Sequence, residues 1–327
     1  MLSFLLRRLL VIIPTLIGIS IVSFIVITLP PGSYLDTYMA ELHRAGGEID
    51  QSRLAAIEQR YGLSQPVHVQ YWKWATGFVR GDFGTSFRTN RPVRMLVMER
   101  LPVTLLITFL TFIFQWLVAI PVGIYSAVRQ YSFLDYVFTV FGFIGLAVPN
   151  FLLALVFMFV GITYFNAEVG GLFSIQYLGE PMTWAKFLDG ASRIWIPIVV
   201  VGTGGMAGLI RIMRGQMLEE MGKQYVKTAR SKGISETRVV FSHAARLAFN
   251  PLLSTAGWIL PALVSGETIS GIVLGLPTLG PLLFDALRSQ DMYLAGSIVM
   301  ILSILVVIGT LISDILLAVT DPRIRFD

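Results

Sequence analysis

Cysteine is absent from the 327 residues, which removes disulfides, thiolate nucleophiles and cysteine-ligated metals and leaves the redox compartment unmarked. Charge is scarce as well: charged residues make up 14% of the chain against 55% hydrophobic residues, and mean hydropathy is +0.72. That balance excludes an ordinary soluble globular domain and indicates an integral membrane protein. Histidine is limited to His43, His68 and His243, scattered without metal-ligand spacing, and no Ser, His and Asp arrangement is discernible. A membrane enzyme would need catalytic side chains clustered at one depth, and none cluster. The net charge of +5 is one feature that nucleic-acid binding shares. In a chain this apolar the surplus instead orients helices or touches anionic lipid, and no nucleic-acid partner is expected.

What is abundant is long apolar sequence. About 20 residues of helix cross the hydrocarbon core, and six runs reach that length: 9–29, 101–128, 136–165, 194–213, 251–274 and 293–319. The first follows Arg7 and Arg8 but ends in Leu29-Pro30-Pro31 without a small-residue cleavage site, so it reads as a retained anchor. With six spans, Arg129, the cluster from Arg211 to Arg246, Arg323 and Arg325 share one side with Arg7 and Arg8. By the positive-inside rule that side is the cytoplasm, with both termini there. Residues 1–29 then form a tail and first span. Residues 30–100 form an extracytoplasmic subdomain, helical around 52–61; 101–320 form a five-span core, and 321–327 a cytoplasmic tail. Pro14, Pro121, Pro149, Pro197 and Pro261 inside the runs are tolerable as packed kinks or as hinges.

One polar segment interrupts the apolar half of the chain, from Met213 to Asn250. It reads as a helix carrying Lys227, Arg230 and Lys232, broken at Gly233, with Ser235 placed to cap a second helix. Two readings stand: a solvated connector marking the cytosolic side, or an ordered helix pair on which a partner docks. Two apparent nucleotide motifs fail. The glycines of Gly202-Thr203-Gly204-Gly205 lie within an apolar run rather than after a strand, and with Gly208 they read as a small-residue packing face. Gly222-Lys223-Gln224 lacks the hydroxyl that would hold magnesium, so this chain is not expected to bind ATP itself.

Glu267, within Ser265-Gly266-Glu267-Thr268, is the acidic residue placed deep in a run. A charge at mid-bilayer costs about 2.5–3.5 kcal/mol, so it must face the interior, a water-filled path or a partner. Translocation-path residue and helix-packing carboxylate are both open readings. Asp314, nearer the end of the last run, reads as snorkelling or paired with a terminal arginine.

These residues also carry a family resemblance over essentially the full length. Arg7-Arg8-Leu9-Leu10, Ile13-Pro14-Thr15-Leu16, Tyr61-Gly62-Leu63 with Gln65-Pro66, Gly81-Asp82-Phe83-Gly84-Thr85-Ser86 and Arg100-Leu101-Pro102-Val103-Thr104-Leu105 occur in order, ending in Asp321-Pro322-Arg323-Ile324-Arg325. The chain resembles the first permease subunit of the dipeptide, oligopeptide and nickel class of ATP-binding-cassette importers. Tyr225-Val226-Lys227-Thr228-Ala229-Arg230-Ser231-Lys232-Gly233, followed by His243-Ala244-Ala245-Arg246 and Pro251, is similar to that class's EAA motif.

The resemblance implies an all-α, six-span type I importer permease. It also implies that the 213–250 loop is a coupling element seated in a groove of a separate ATPase subunit. The implied coupling residues are Tyr225, Thr228, Ala229, Arg230, Lys232, Gly233, His243 and Arg246, with Ala229 and Gly233 giving docking shape and Arg230 and Lys232 charge complementarity. Asn150, Ser265, Glu267 and Thr268 are the path candidates. Implied partners are a second permease subunit, two ATPase subunits that hold ATP and Mg, an extracytoplasmic solute-binding protein and the lipid bilayer, in a bacterial or archaeal inner membrane. Lys227 and Thr228 replace the Glu and first Ala of the general motif, Leu247 stands where relatives often carry Asn, and Gly271 and Thr278 also depart from peptide-importing relatives. Oligosaccharides or other solutes therefore stay open beside peptides, and a stand-alone secondary transporter or channel is the competing class, although the inverted repeats and the several intramembrane charges it predicts are not visible.

Overall fold

The computed structural model describes residues 2–29, 65–167, 169–177 and 179–320. The expected helix around 52–61 and the arginines of the C-terminal tail lie outside them. Among the described residues the fold is helical, and pairing of extended chain is limited to an isolated antiparallel bridge between Thr85 and Pro92.

The helices are α1 (Leu2–Thr28), α2 (Val67–Val79), α3 (Val93–Val128), α4 (Phe133–Ala147), α5 (Asn150–Phe165), α6 (Trp184–Arg193) and α7 (Trp195–Gly222). After these come α8 (Gln224–Ser231), the short α9 (Glu236–Arg238) and α10 (Ala245–Ala248), then α11 (Asn250–Val273), α12 (Leu279–Arg288) and α13 (Met292–Thr320). Among the described residues four stretches are helical, long and apolar enough to cross a membrane: Leu10–Thr28, Val93–Val128, Trp184–Gly222 and Met292–Ile315. Their outward residues include Val22, Phe109 and Leu117, each more than half exposed. Such a contiguous apolar surface is a liability in water and the expected face toward lipid.

The run expected to form one span over 136–165 is instead two helices, α4 and α5, bent by 102° at the break between them. Pro149 is the cause. Its ring excludes the helical region for the residue before it, and Val148 accordingly is extended at φ −86°, ψ 119°. Counting this pair as one span gives five, and the expected run over 251–274 forms the 24-residue α11.

The contacts divide into two compact units. The first comprises residues up to Pro102 together with Thr278–Val307. Its core gathers Phe24, Trp74, Val93, Val97, Leu279 and Ile298, so residues 65–102 share one core with a stretch far away in sequence. Trp74, 2% exposed, packs its ring against Phe24 and Phe78, and Ser20 and Tyr71 join their hydroxyls at 2.8 Å. The Gly81–Ser86 motif is a fastening in this unit. Asp82 accepts from the Gly84 N–H at 3.0 Å, and the Ser86 hydroxyl donates to Asp291 at 2.6 Å.

The second unit comprises Val103–Pro277 and the chain from Ile308 onward. Helix α7 lies at its middle and packs against α4, α5 and α11. The glycines at 202, 204 and 205 serve as the expected small-residue face, since side chains of Phe114, Asn150 and Gln115 lie where their Cβ atoms would be. Gly208 departs from that reading: nothing lies within 4 Å of its Cβ position.

Candidate functional site

Helix α7 does not stop at the end of the apolar run but continues to Gly222, and the chain then turns at Lys223 (φ −72°, ψ 153°) into α8. The Lys223 ammonium bonds Glu220 at 2.6 Å and Glu219 at 3.3 Å, an interaction that holds its pKa above the usual lysine value. The Tyr225 hydroxyl donates to the other oxygen of Glu220, and burial together with that carboxylate pushes the phenol well up from its ordinary range. Tyr225 is thus turned inward, fixing the corner between α7 and α8.

Helix α8 is two-faced. Val226 and Ala229 are buried in a cluster with Met213, Met217, Val239 and Val240, which is the 3.6-residue periodicity of a helix laid on a core. Gln224, Lys227, Thr228 and Ser231 lie on the exposed face. The helix ends in a Schellman arrangement. The Gly233 N–H donates to Arg230 O at 2.9 Å, the Ile234 N–H to Ala229 O at 3.3 Å, and Gly233 takes φ +75°. The break expected at Gly233 is therefore present, and backbone handedness explains it.

Three expectations for this elbow are revised by its geometry. Ala229, 5% exposed, packs inside the chain and offers no surface for docking shape. Arg230 is not a lone cation: its guanidinium makes a two-pronged bond to Glu236, Nε to Oε2 at 3.0 Å and Nη2 to Oε1. This bond holds the Glu236 carboxyl below its usual range and ties α8 to α9. Ser235 occupies the N-cap position of α9 but makes no side-chain capping bond. The Thr228 hydroxyl donates back to Gln224 O at 2.9 Å, Lys232 is exposed at the C-cap, and Arg246 is exposed. His243 is half-buried, with Nδ1 3.2 Å from Arg238 O within a π-helical turn, Val239–Ala244. The outward face of α8 and its C-cap is thus Gln224, Lys227, Thr228, Ser231 and Lys232.

Asp135 and Arg214 were not singled out from the sequence. Arg214 on α7 pairs with Asp135 at the start of α4 at 3.0 Å, with the Asp135 side chain only 4% exposed. Asp135 also accepts from the Tyr131 N–H at 3.0 Å, and Ser132 caps α4. The pair braces the helix that carries the elbow, and seventy-nine residues of separation hide it from any local pattern.

Deeper in the same unit a cavity of about 440 Å³ opens between α3, α5, α7 and α11. Of the path candidates, Asn150 lines it. Glu267 is buried at 2% exposure and Thr268 half-buried, but neither is on the cavity wall, although the neighbouring Gly266 is. The Ser265 side chain lies outside the described residues. Gln115, which the sequence gave no reason to notice, is on the wall and 1% exposed.

The comparisons with known proteins agree with this architecture. Residues 119–326 match the model of the binding-protein-dependent transport system inner membrane component, and residues 1–108 match its N-terminal companion. The chain is 36% identical over 330 residues to the oligopeptide transport system permease protein AppB of Bacillus subtilis (strain 168), covering all of both chains. It is 31% identical over 341 residues to the dipeptide transport system permease protein DppB of Escherichia coli (strain K12), covering 99% of each. A third relative, a peptide permease protein of Brucella suis biovar 1, is 32% identical over 327 residues, again covering 99% of each. A bundle of apolar helices carrying a fastened basic elbow, matched along nearly its whole length, places this chain in the family of binding-protein-dependent transport system inner membrane components.

Proposed function

We propose that this chain is the permease of an ATP-driven importer of peptides or similar small solutes, working by alternating access. ATP and Mg belong to two separate ATPase subunits, a second permease completes the pathway, and an extracytoplasmic binding protein delivers the solute. The chain itself is non-catalytic and carries no cofactor. The termini and the elbow face the cytoplasm in this reading, which follows the distribution of Lys and Arg.

The observation that carries the proposal is the build of the elbow. A connector with no partner has no need of a helix whose inner face is buried, whose corner is pinned by Glu220 and whose end is fixed by Gly233. Coupling requires contacts that differ between two states, and a short helix rigidly mounted on α7 transmits such a difference without absorbing it. Lys227 and Lys232 are the cations on the outward face, while Arg230 holds the elbow together. The peptide class is supported by the names of the relatives.

The test is transport by the purified assembly in proteoliposomes. Lys227→Glu with Lys232→Glu should lower ATP-driven uptake more than tenfold and weaken co-purification of the ATPase subunits, with the amount of permease in the membrane unchanged. Uptake that persists after the ATPase subunits are removed would overturn the proposal in favour of a stand-alone transporter.

A further inference from the structure

The cavity beside α7 carries more than its position. Among the described residues its polar side chains are Gln115, Asn150 and Thr255, all neutral, and the rest of its wall is aliphatic or glycine. Gln115 Nε2 donates to Gly202 O at 2.9 Å, which fixes the amide. Its Oε1 is buried and has no hydrogen-bond partner among the described residues. A buried acceptor left unmatched costs about 1–3 kcal/mol, which a fold tolerates where something else supplies the donor.

The glycines make the arrangement possible. A Cβ at Gly205 would stand 2.6 Å from Gln115 Nε2, so glycine there admits the amide. A Cβ at Gly208 would meet nothing within 4 Å, so that position borders open space. A volume of about 440 Å³ falls inside the range of roughly 300–1,000 Å³ typical of small-molecule sites.

We infer that this cavity is a transient binding station for the solute during its passage, and that it takes neutral hydrogen-bonding groups, above all the backbone amide of a peptide. The Gln115 Oε1 accepts a solute N–H, the Asn150 side chain lies on the same wall, and the Thr255 hydroxyl, whose proton goes to Leu252 O at 2.7 Å, adds a second acceptor. Among the described residues the wall holds no ionised group, and an unpaired ammonium or carboxylate buried there is strongly disfavoured. The charged ends of a peptide are therefore excluded from it, and the middle of the chain is what it receives. Peptide length and blocked termini become properties that this site reads, separately from the binding protein.

This inference rests on the peptide-import reading, and the absence of cysteine from the chain allows a direct test. The full assembly carrying Gly208→Cys is reconstituted with its binding protein and labelled with a maleimide during ATP turnover, with and without the alanine di-, tri- and tetrapeptides. Peptides that are imported should slow labelling at least threefold, and Gln115→Met, which conserves volume, should abolish that protection with the amount of assembled complex unchanged. Unchanged labelling in an assembly that imports the peptide overturns the station. If the Gly208→Cys assembly does not form, uptake by Gln115→Met decides: a loss of threefold or more with ATP hydrolysis retained supports it, and normal uptake overturns it. A wild-type assembly that imports none of the alanine peptides sinks the peptide reading itself, and this inference with it.

Discussion

Two polar stretches interrupt this apolar chain, and they are fastened in opposite ways. The segment around Gly81–Ser86 is held by a carboxylate with no exposure: Asp291 accepts from the Ser86 hydroxyl at 2.6 Å and from the Leu294 N–H at 3.2 Å. The elbow from Lys223 to Glu236 is held at its surface, by Lys223 with Glu219 and Glu220 and by Arg230 with Glu236, groups that keep substantial exposure apart from Glu220. A buried, bonded carboxylate locks a shape at high cost to disturbance. Exposed pairs contribute little each and leave charge available to a partner. The difference separates a region fastened in its interior from one that keeps its charge at the surface.

That contrast can be broken by substitution. Asp291→Ala leaves the Ser86 hydroxyl and the Leu294 N–H buried without their acceptor, and should destabilise the first unit by about 3 kcal/mol or more, read as loss of folded protein in thermal unfolding in detergent. A variant that melts like wild type would show that the loop is not fastened there. Gly233→Val forces a β-branched residue to φ +75°, a cost of about 1–2 kcal/mol for the left-handed conformation, with no steric clash to add. Its membrane level should be close to normal and its ATP-driven uptake lost, whereas Gly233→Asn, which tolerates that region, should retain most uptake. Arg230→Ala should cost less than about 1 kcal/mol, because its pair with Glu236 is solvent-screened at 40% and 54% side-chain exposure. An Arg230→Glu, Glu236→Arg exchange should then restore uptake if Arg230 serves only to hold the elbow.

The smallest expected effect is a pH slope that sharpens the same contrast. Burial raises the pKa of Asp291 above its unfolded value, so the folded state binds the proton more tightly than the unfolded chain. The resulting stability is fully present below the ordinary carboxylate pKa and is lost as pH rises through the raised value. Melting temperature of the wild type should therefore fall as pH rises across that window. Asp291→Asn, which keeps an acceptor and cannot ionise, should flatten the slope, and an unchanged slope would assign it to another group.

Much of the helical architecture was legible because apolar length and polar interruption are local signals. The long helices occupy the apolar runs, and the break at Gly233 follows from a glycine placed just past a helix end. The bend at Val148-Pro149 was half legible: the proline was visible as a kink, but its 102° angle depends on how α4 and α5 each pack on α7. The Arg230–Glu236 pair leaves no local signal, because six residues of separation fit no helical pairing rule. Only the turn at Gly233 brings them together. Gln115 left no signal, since a single amide in a 36-residue apolar helix has no periodicity to reveal which way it faces.

The sequence by itself determined that this chain is a membrane protein of helices and that its exposed polar elbow bends at one glycine. Both are consequences of transfer free energy and backbone sterics, which act residue by residue. Tertiary structure alone decided which charges in that elbow are spent on its own stability and that the side chains of Gln115 and Asn150 line one cavity. Ion pairing and cavity shape depend on distances between segments, and no local property of a chain sets those.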